Sequence, residues 1–155
     1  CLVSAFSGLR LKNVVHLKRK EVDLKSGWLN IEHQSKTGKP ISIPISPALK
    51  NVFRLIKVWP MKDEDRVFPD LNEKPISVQV GRAFNRAGIP WASFHHFRHF
   101  AACHLLNNNV PLAVIQEFLG HADIKSTLVY ARLKGETLQE AVRVLDTNLT
   151  QVGGH

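Results

Sequence analysis

Arg10, Lys36, His95, Arg98, His121 and Tyr130 are the side chains whose types and order could act together on one phosphate group. Arg10 follows Ser7-Gly8-Leu9 where an apolar stretch enters a helix, and by itself reads equally as half of an ion pair near a cap or as an anion ligand. Lys36 falls in Lys36-Thr37-Gly38-Lys39-Pro40, whose plain reading is a solvated turn. His95 and Arg98 stand three apart, on one helical face. Leu119-Gly120-His121 reads as a turn into a helix, and Tyr130, nine residues later, is the only tyrosine. None of these is decisive alone. Together they suit a phosphodiester. Two guanidinium forks can bind its non-bridging oxygens and stabilise the added charge of a five-coordinate transition state. A phenol is a suitable nucleophile, because a phosphotyrosine ester conserves bond energy for a second transfer. A lysine on a mobile hairpin can protonate the leaving 5′-oxygen, and the histidines can hydrogen-bond the phosphate and manage the phenol proton. The set requires no metal and no other cofactor.

The elements that must position these groups follow from the pattern of apolar residues. Residues 10–20 are expected as a short helix, with Leu11, Val14, Val15 and Leu17 on one side. Residues 28–31 and 41–45 alternate across a turn holding Gly38, which predicts a β-hairpin extended into a small sheet by 21–24. Pro44 places its strand at an edge, since proline cannot donate to the ladder. Ser46-Pro47 reads as N-cap and first helical position of a helix reaching about Trp59. Residues 60–75 read as loop, and helices are expected over 77–87, 95–107, 112–119, 124–132 and 136–147. The last opens on the capping box Thr137-Leu-Gln-Glu140 and carries Leu138, Ala141, Val142 and Leu145 in a stripe that must be covered, in cis or by another copy. The expected fold is therefore mostly α with a small antiparallel β-sheet (α+β), without internal repeats.

At 155 residues and 44% apolar content, one domain can bury a core without disulfides or a metal, and disorder is excluded. No stretch is long and apolar enough to span a membrane. Two cysteines cannot make a disulfide framework, which favours a reducing, cytoplasmic setting. The chain opens Cys1-Leu-Val-Ser without an initiator Met, which reads as a piece of a longer protein and not as a secretory signal. The net charge of +8 points to an acidic partner, with nucleic acid foremost. Residues 1–60 hold 11 basic and 3 acidic side chains while 61–155 hold 10 of each, so the excess lies wholly in the first part, including Lys18-Arg19-Lys20. That asymmetry favours a phosphate-facing side there, although a basic triplet also suits an ordinary solvated face.

Ser7-Gly-Leu-Arg10, Leu17-Lys-Arg-Lys-Glu-Val-Asp23, Ser35-Lys-Thr-Gly-Lys-Pro40, His95-His-Phe-Arg-His99 and Phe118-Leu-Gly-His121 with Thr127-Leu-Val-Tyr130 run in one order, with 23 residues from Arg98 to His121. In these stretches, over about residues 3–146, the sequence resembles the catalytic domain of the tyrosine recombinases of the phage integrase family. The resemblance implies that fold and site-specific cleavage and rejoining of double-stranded DNA through a 3′-phosphotyrosine. Carried over by position, Arg10 and Arg98 bind the scissile phosphate, His95 assists proton movement and His121 hydrogen-bonds a non-bridging oxygen. Lys36 is the general acid, with Lys39 as the fallback, and Tyr130 is the nucleophile. It further implies a homotetramer on DNA, a monomeric fragment, and a bacterial or phage-encoded protein at the nucleoid. A catalytic domain spanning 1–155, with core to about 146 and a flexible tail over 147–155, would lack the N-terminal clamp domain of such proteins.

One position departs from the family pattern. Asn13 stands where a carboxylate is common, so it can orient a neighbour but cannot form a charged pair. Glu21 matches an acidic position and is a candidate brace for Arg10. His99 and Cys103 at i,i+4 could share a metal, but no second ligand cluster accompanies them, and His16 and His33 read as non-catalytic. Trp28, Trp59 and Trp91 read as packing residues. Two other classes compete: a DNA-binding module without chemistry, which leaves the Arg/Lys/His/Arg/His/Tyr set unexplained, and a type IB topoisomerase, which relaxes DNA by similar chemistry.

Overall fold

The computed structural model describes residues 1–32, 36, 38–58 and 61–120. Helix α1 (Leu2–Ser7) ends at Gly8, whose left-handed backbone (φ 67°) lets its N–H cap the Ser4 carbonyl. Helix α2 (Leu11–Val15) follows at once. The helix expected over 10–20 stops here. Leu17 is fully buried, but its carbonyl accepts from Val67 N–H at 2.8 Å, and the backbone N–H groups of Arg19 and Lys20 donate to the carbonyls of Asp65 and Asp63. Pairing with a distant segment thus replaces the helical ladder, leaving a 3₁₀ turn over Arg19–Glu21. The same contacts show that 61–67 is anchored backbone and not free loop.

The sheet has the expected form. Strands β1 (Val22–Asp23), β2 (Trp28–Ile31) and β3 (Ile41–Pro44) lie antiparallel in that order, with Leu29 opposite Val22 and Ile43. Pro44 is on an edge strand. Asp23 Oδ1 accepts from the N–H groups of Lys25 and Ser26 and closes the β1–β2 turn. The Glu21 oxygens accept from the backbone N–H groups of Lys18 (2.8 Å) and Glu32 (3.2 Å), tying the 3₁₀ turn to the end of β2.

Helix α3 (Pro47–Leu55) starts as its sequence says, with Ser46 Oγ accepting from Leu49 N–H, but ends short of Trp59 because Ile56 caps it and Lys57 turns left-handed (φ 51°). Helix α4 (Glu73–Arg86) begins a turn earlier than expected and buries only Val80. Helices α5 (His95–Asn107) and α6 (Leu112–Leu119) match expectation. The helices expected over 124–132 and 136–147 lie outside the described residues.

Two groups of buried side chains hold the body together. One gathers Leu9, Val14, Leu17, Leu29, Ile43, Leu49 and Phe53 around the sheet; the other gathers Ala102, Leu106, Ile115 and Leu119 between α5 and α6. Phe118 packs against both and links them. Trp28 and Trp91 do not follow the packing expectation, and Trp59 lies outside the described residues. Trp28 shares the outer face of β2 with Asn30 and is 43% exposed, while Trp91, in the α4–α5 connection, is 72% exposed.

Candidate active site

The Ser7-Gly-Leu-Arg10 segment is a turn locked by its own hydroxyls. Ser4 Oγ donates to the Leu9 carbonyl and Ser7 Oγ to the Val3 carbonyl, each at 2.6 Å, and Leu9 N–H donates to Ser7 Oγ. Both serines are buried, so these bonds are shielded from water. The turn delivers Arg10, half-buried, at the N-cap of α2, with its carbonyl accepting from Val14 N–H. Asn13, on the inner side of α2, is buried.

Arg98 comes to the same place from α5 and is only 3% exposed. Its Nη1 donates to the Gly8 carbonyl and its Nη2 to the Leu119 carbonyl. A guanidinium has five N–H donors in a fixed fork; two of them fasten the C-terminal ends of α1 and α6 to α5. Gly120 then reverses the chain in a left-handed conformation (φ 60°) and caps α6 through the Glu117 carbonyl. The Leu119-Gly120 pair is therefore a docking point for Arg98. His121 and Tyr130, the next two candidates, lie outside the described residues.

Arg10, His95 and Arg98 line one cleft of about 240 Å³ together with Ser77 and Ser93. The His95 ring is open to the cleft on one side, yet its pKa is pushed down to about 4, first by partial desolvation and then by the charges of His99, Arg98, Arg10 and His96. It is thus neutral near pH 7, able to accept or donate a proton. His99, whose ring meets that of His95 edge-on at 4.6 Å, is lowered by desolvation, His96 and Arg98. Lys36 is exposed in the β2–β3 connection and is not among the described residues that line the cleft, and Lys39 is likewise exposed. Sequence reasoning missed Ser77 and Ser93. For Ser93 a signal existed, since it stands three residues before His96 as an N-cap does before its capping partner. Among the described residues no three His, Cys, Asp or Glu side chains come together as a metal site.

The basic triplet is engaged in ion pairs and a backbone contact. Lys18 Nζ meets Glu64 at 2.6 Å, and Lys20 Nζ meets Glu64 at 3.0 Å and Glu32 at 3.3 Å. Arg19 is buried and donates to the Val22 carbonyl. Glu64, from beyond position 60, thus faces Lys18 and Lys20, together with Glu32 from the basic half itself.

The phage integrase family model matches residues 2–136. The chain belongs to that family. Among relatives, it is 29% identical over 160 residues to the tyrosine recombinase XerA of Pyrococcus furiosus, covering 96% of this chain and 54% of that protein. The integrase of the transposon Tn1549, solved with transposon right end DNA, superposes with a TM-score of 0.74 at 17% identity, over 96% of this chain and 57% of that one. The XerH site-specific recombinase, solved in a post-cleavage complex with a palindromic difH substrate, gives a TM-score of 0.67 at 25% identity, over 93% and 44%. The integrase-family chain spans about half the length of the curated relatives it matches. These likenesses bear out the expected fold, a helical domain with a small three-stranded antiparallel sheet.

Proposed function

We propose that this integrase-family domain breaks and rejoins one strand of duplex DNA at a specific site, without a metal. The observation that carries the reading is the convergence of Arg10 with His95 and Arg98 in one cleft, from two segments more than 80 positions apart in sequence. The phenol oxygen of Tyr130 attacks phosphorus; the P–O5′ bond breaks, and the 5′-oxygen leaves with a proton from Lys36. The phenol proton passes to a histidine, for which neutral His95 is suited. Arg10 and Arg98 balance the charge on the non-bridging oxygens, assisted by His121. Rejoining reverses the step: a 5′-hydroxyl attacks the phosphotyrosine and frees Tyr130.

The DNA-bound complexes named for the Tn1549 integrase and XerH support a DNA substrate for this chain too. No described helix is long and apolar enough to cross a membrane. The whole protein, on this reading, acts in the cytoplasm as a homotetramer holding two duplexes, with a separate N-terminal domain completing the grip; residues 1–155 alone bind DNA weakly and in a salt-sensitive way. Nicked suicide DNA made from sequences flanking the gene tests the chemistry. Covalent protein–DNA adduct should form on Tyr130 and vanish in Tyr130→Phe. An equal adduct yield from that variant would overturn the assignment.

A further inference from the structure

Helix α5 presents His95 and Arg98 from its first turn, so whatever pins that turn fixes the spacing of two cleft groups. Phe94, the residue just before the helix, supplies no side-chain cap. One position earlier, Ser93 N–H donates to His96 Nδ1 at 2.9 Å, and Ser93 Oγ lies 3.2 Å from the same nitrogen. A backbone N–H can only donate. His96 Nδ1 therefore accepts, which leaves the ring hydrogen on Nε2. Shifted one position ahead of the cap, this is the counterpart of the returning arm of a capping box, in which the third residue on reaches back to a backbone N–H; Glu or Gln usually does this. Here an imidazole does it. The ring is fixed from outside by Trp91, edge-on at 5.4 Å, and from inside by His99 at 5.3 Å.

We propose that His96 is a positioning residue: with Ser93 it pins the first turn of α5, and so sets where His95 and Arg98 meet the phosphate. It touches no reacting atom. The consequence for catalysis rests on the strand-cleavage reading above; the cap itself does not. Two substitutions in the natural full-length protein separate capping from ring packing. His96→Gln keeps an acceptor that can reach the Ser93 N–H but loses the ring, whereas His96→Phe keeps a ring against Trp91 and His99 but loses the acceptor. Hydrogen exchange at the Ser93 amide, without DNA, should quicken about tenfold in His96→Phe and stay within about twofold in His96→Gln, in line with the loss of one capping interaction. Single-turnover cleavage should follow the same order, slowed about tenfold in His96→Phe and near wild type in His96→Gln, with DNA affinity unchanged in both. The reverse order, with Phe active and Gln impaired, would assign the ring to packing and overturn the proposal. Unchanged Ser93 exchange in His96→Phe would overturn it as well. If exchange follows the cap but wild type cleaves no DNA, the reaction assignment fails and the positioning role falls with it, while the cap stands.

Discussion

The guanidinium of Arg98 donates to the carbonyl of Gly8, 90 residues earlier in the chain. One residue that the chemistry would place on a phosphate is thus also the fastener between the Ser7-Gly-Leu-Arg10 turn and α5. Its second bond, to the Leu119 carbonyl, brings in the segment leading to His121. The relative positions of Arg10, His95 and the Leu119-Gly120 turn therefore depend on one buried side chain.

Gly8 tests this arrangement. Its φ is +67°, and a Cβ there would lie 2.7 Å from Leu119 Cδ2 and 3.1 Å from Phe118 Cε1. At Gly38, with the same φ, an added Cβ would meet no described atom within 4 Å. Gly38→Ala should cost about 1 kcal/mol, from backbone strain alone. Gly8→Ala should cost about 2–5 kcal/mol, because strain and overlap with the core linker add. Urea denaturation measures both; equal losses would mean that the contact with α6 yields freely.

The lowered pKa of His95 gives a pH signature. An ordinary imidazole titrates near 6.5, whereas the folded protein holds this one at about 4. Between these values the unfolded chain binds the proton and the folded one does not, so acid favours unfolding. The contribution of neutral His95 is complete above pH 6.5 and lost as pH falls toward 4. His99, lowered in the same direction, adds to the slope. Thermal stability of His95→Gln should therefore fall less than that of wild type between pH 7 and 4.5. Parallel curves would show that His95 titrates normally in the folded protein.

Much of this was legible in the sequence, and the failures have a common cause. The hairpin, the Ser46-Pro47 start and helices α5 and α6 follow from local chemistry: alternation, a capping hydroxyl, a glycine at the exit. The helix expected over 10–20 failed because Leu17 and Arg19 bond to Val67 and Asp65, partners that no local pattern announces. The ion pairs of the basic triplet were hidden for the same reason, since Glu64 reaches Lys18 and Lys20 across 46 and 44 positions. For the site, residue types and order singled out Arg10, His95 and Arg98. The attachment of Arg98 to two backbone carbonyls could not be read there, because glycine and leucine carbonyls carry no mark in a sequence.

The proton donor is separable from the charge-bearing groups by changing the leaving atom. A 5′-bridging phosphorothiolate departs without protonation, so Lys36→Ala should cleave ordinary DNA slowly and the sulfur substrate near the wild-type rate. Arg10→Ala and Arg98→Ala should not be rescued, since the charge on the non-bridging oxygens is the same in both substrates. Both Lys36 and Lys39 are exposed in the same connection, so each must be replaced in turn. Rescue that follows Lys39→Ala and not Lys36→Ala would move the acid by three positions.

The ion pairs around Glu64 make a prediction about how DNA is held. Each phosphate neutralised by a lysine or arginine contributes about −0.9 to the slope of log affinity against log salt. Lys18 and Lys20 already face Glu64 and Glu32, and those bonds raise the Lys20 pKa and lower that of Glu64. To bind phosphate they would have to exchange one anion for another, releasing few counterions. Replacing both by alanine should therefore change the slope by less than about 0.5 in the full-length protein. Replacing Arg10 and Lys36 together should flatten it by about 1.8, the value for two lost phosphate contacts. Glu64→Gln provides the converse, because it leaves two ammonium groups on the surface without their shared carboxylate and should steepen the slope. If the Lys18/Lys20 pair instead flattens the slope as much as Arg10 and Lys36 do, DNA opens these ion pairs on binding, and the basic half of the chain is a phosphate face after all.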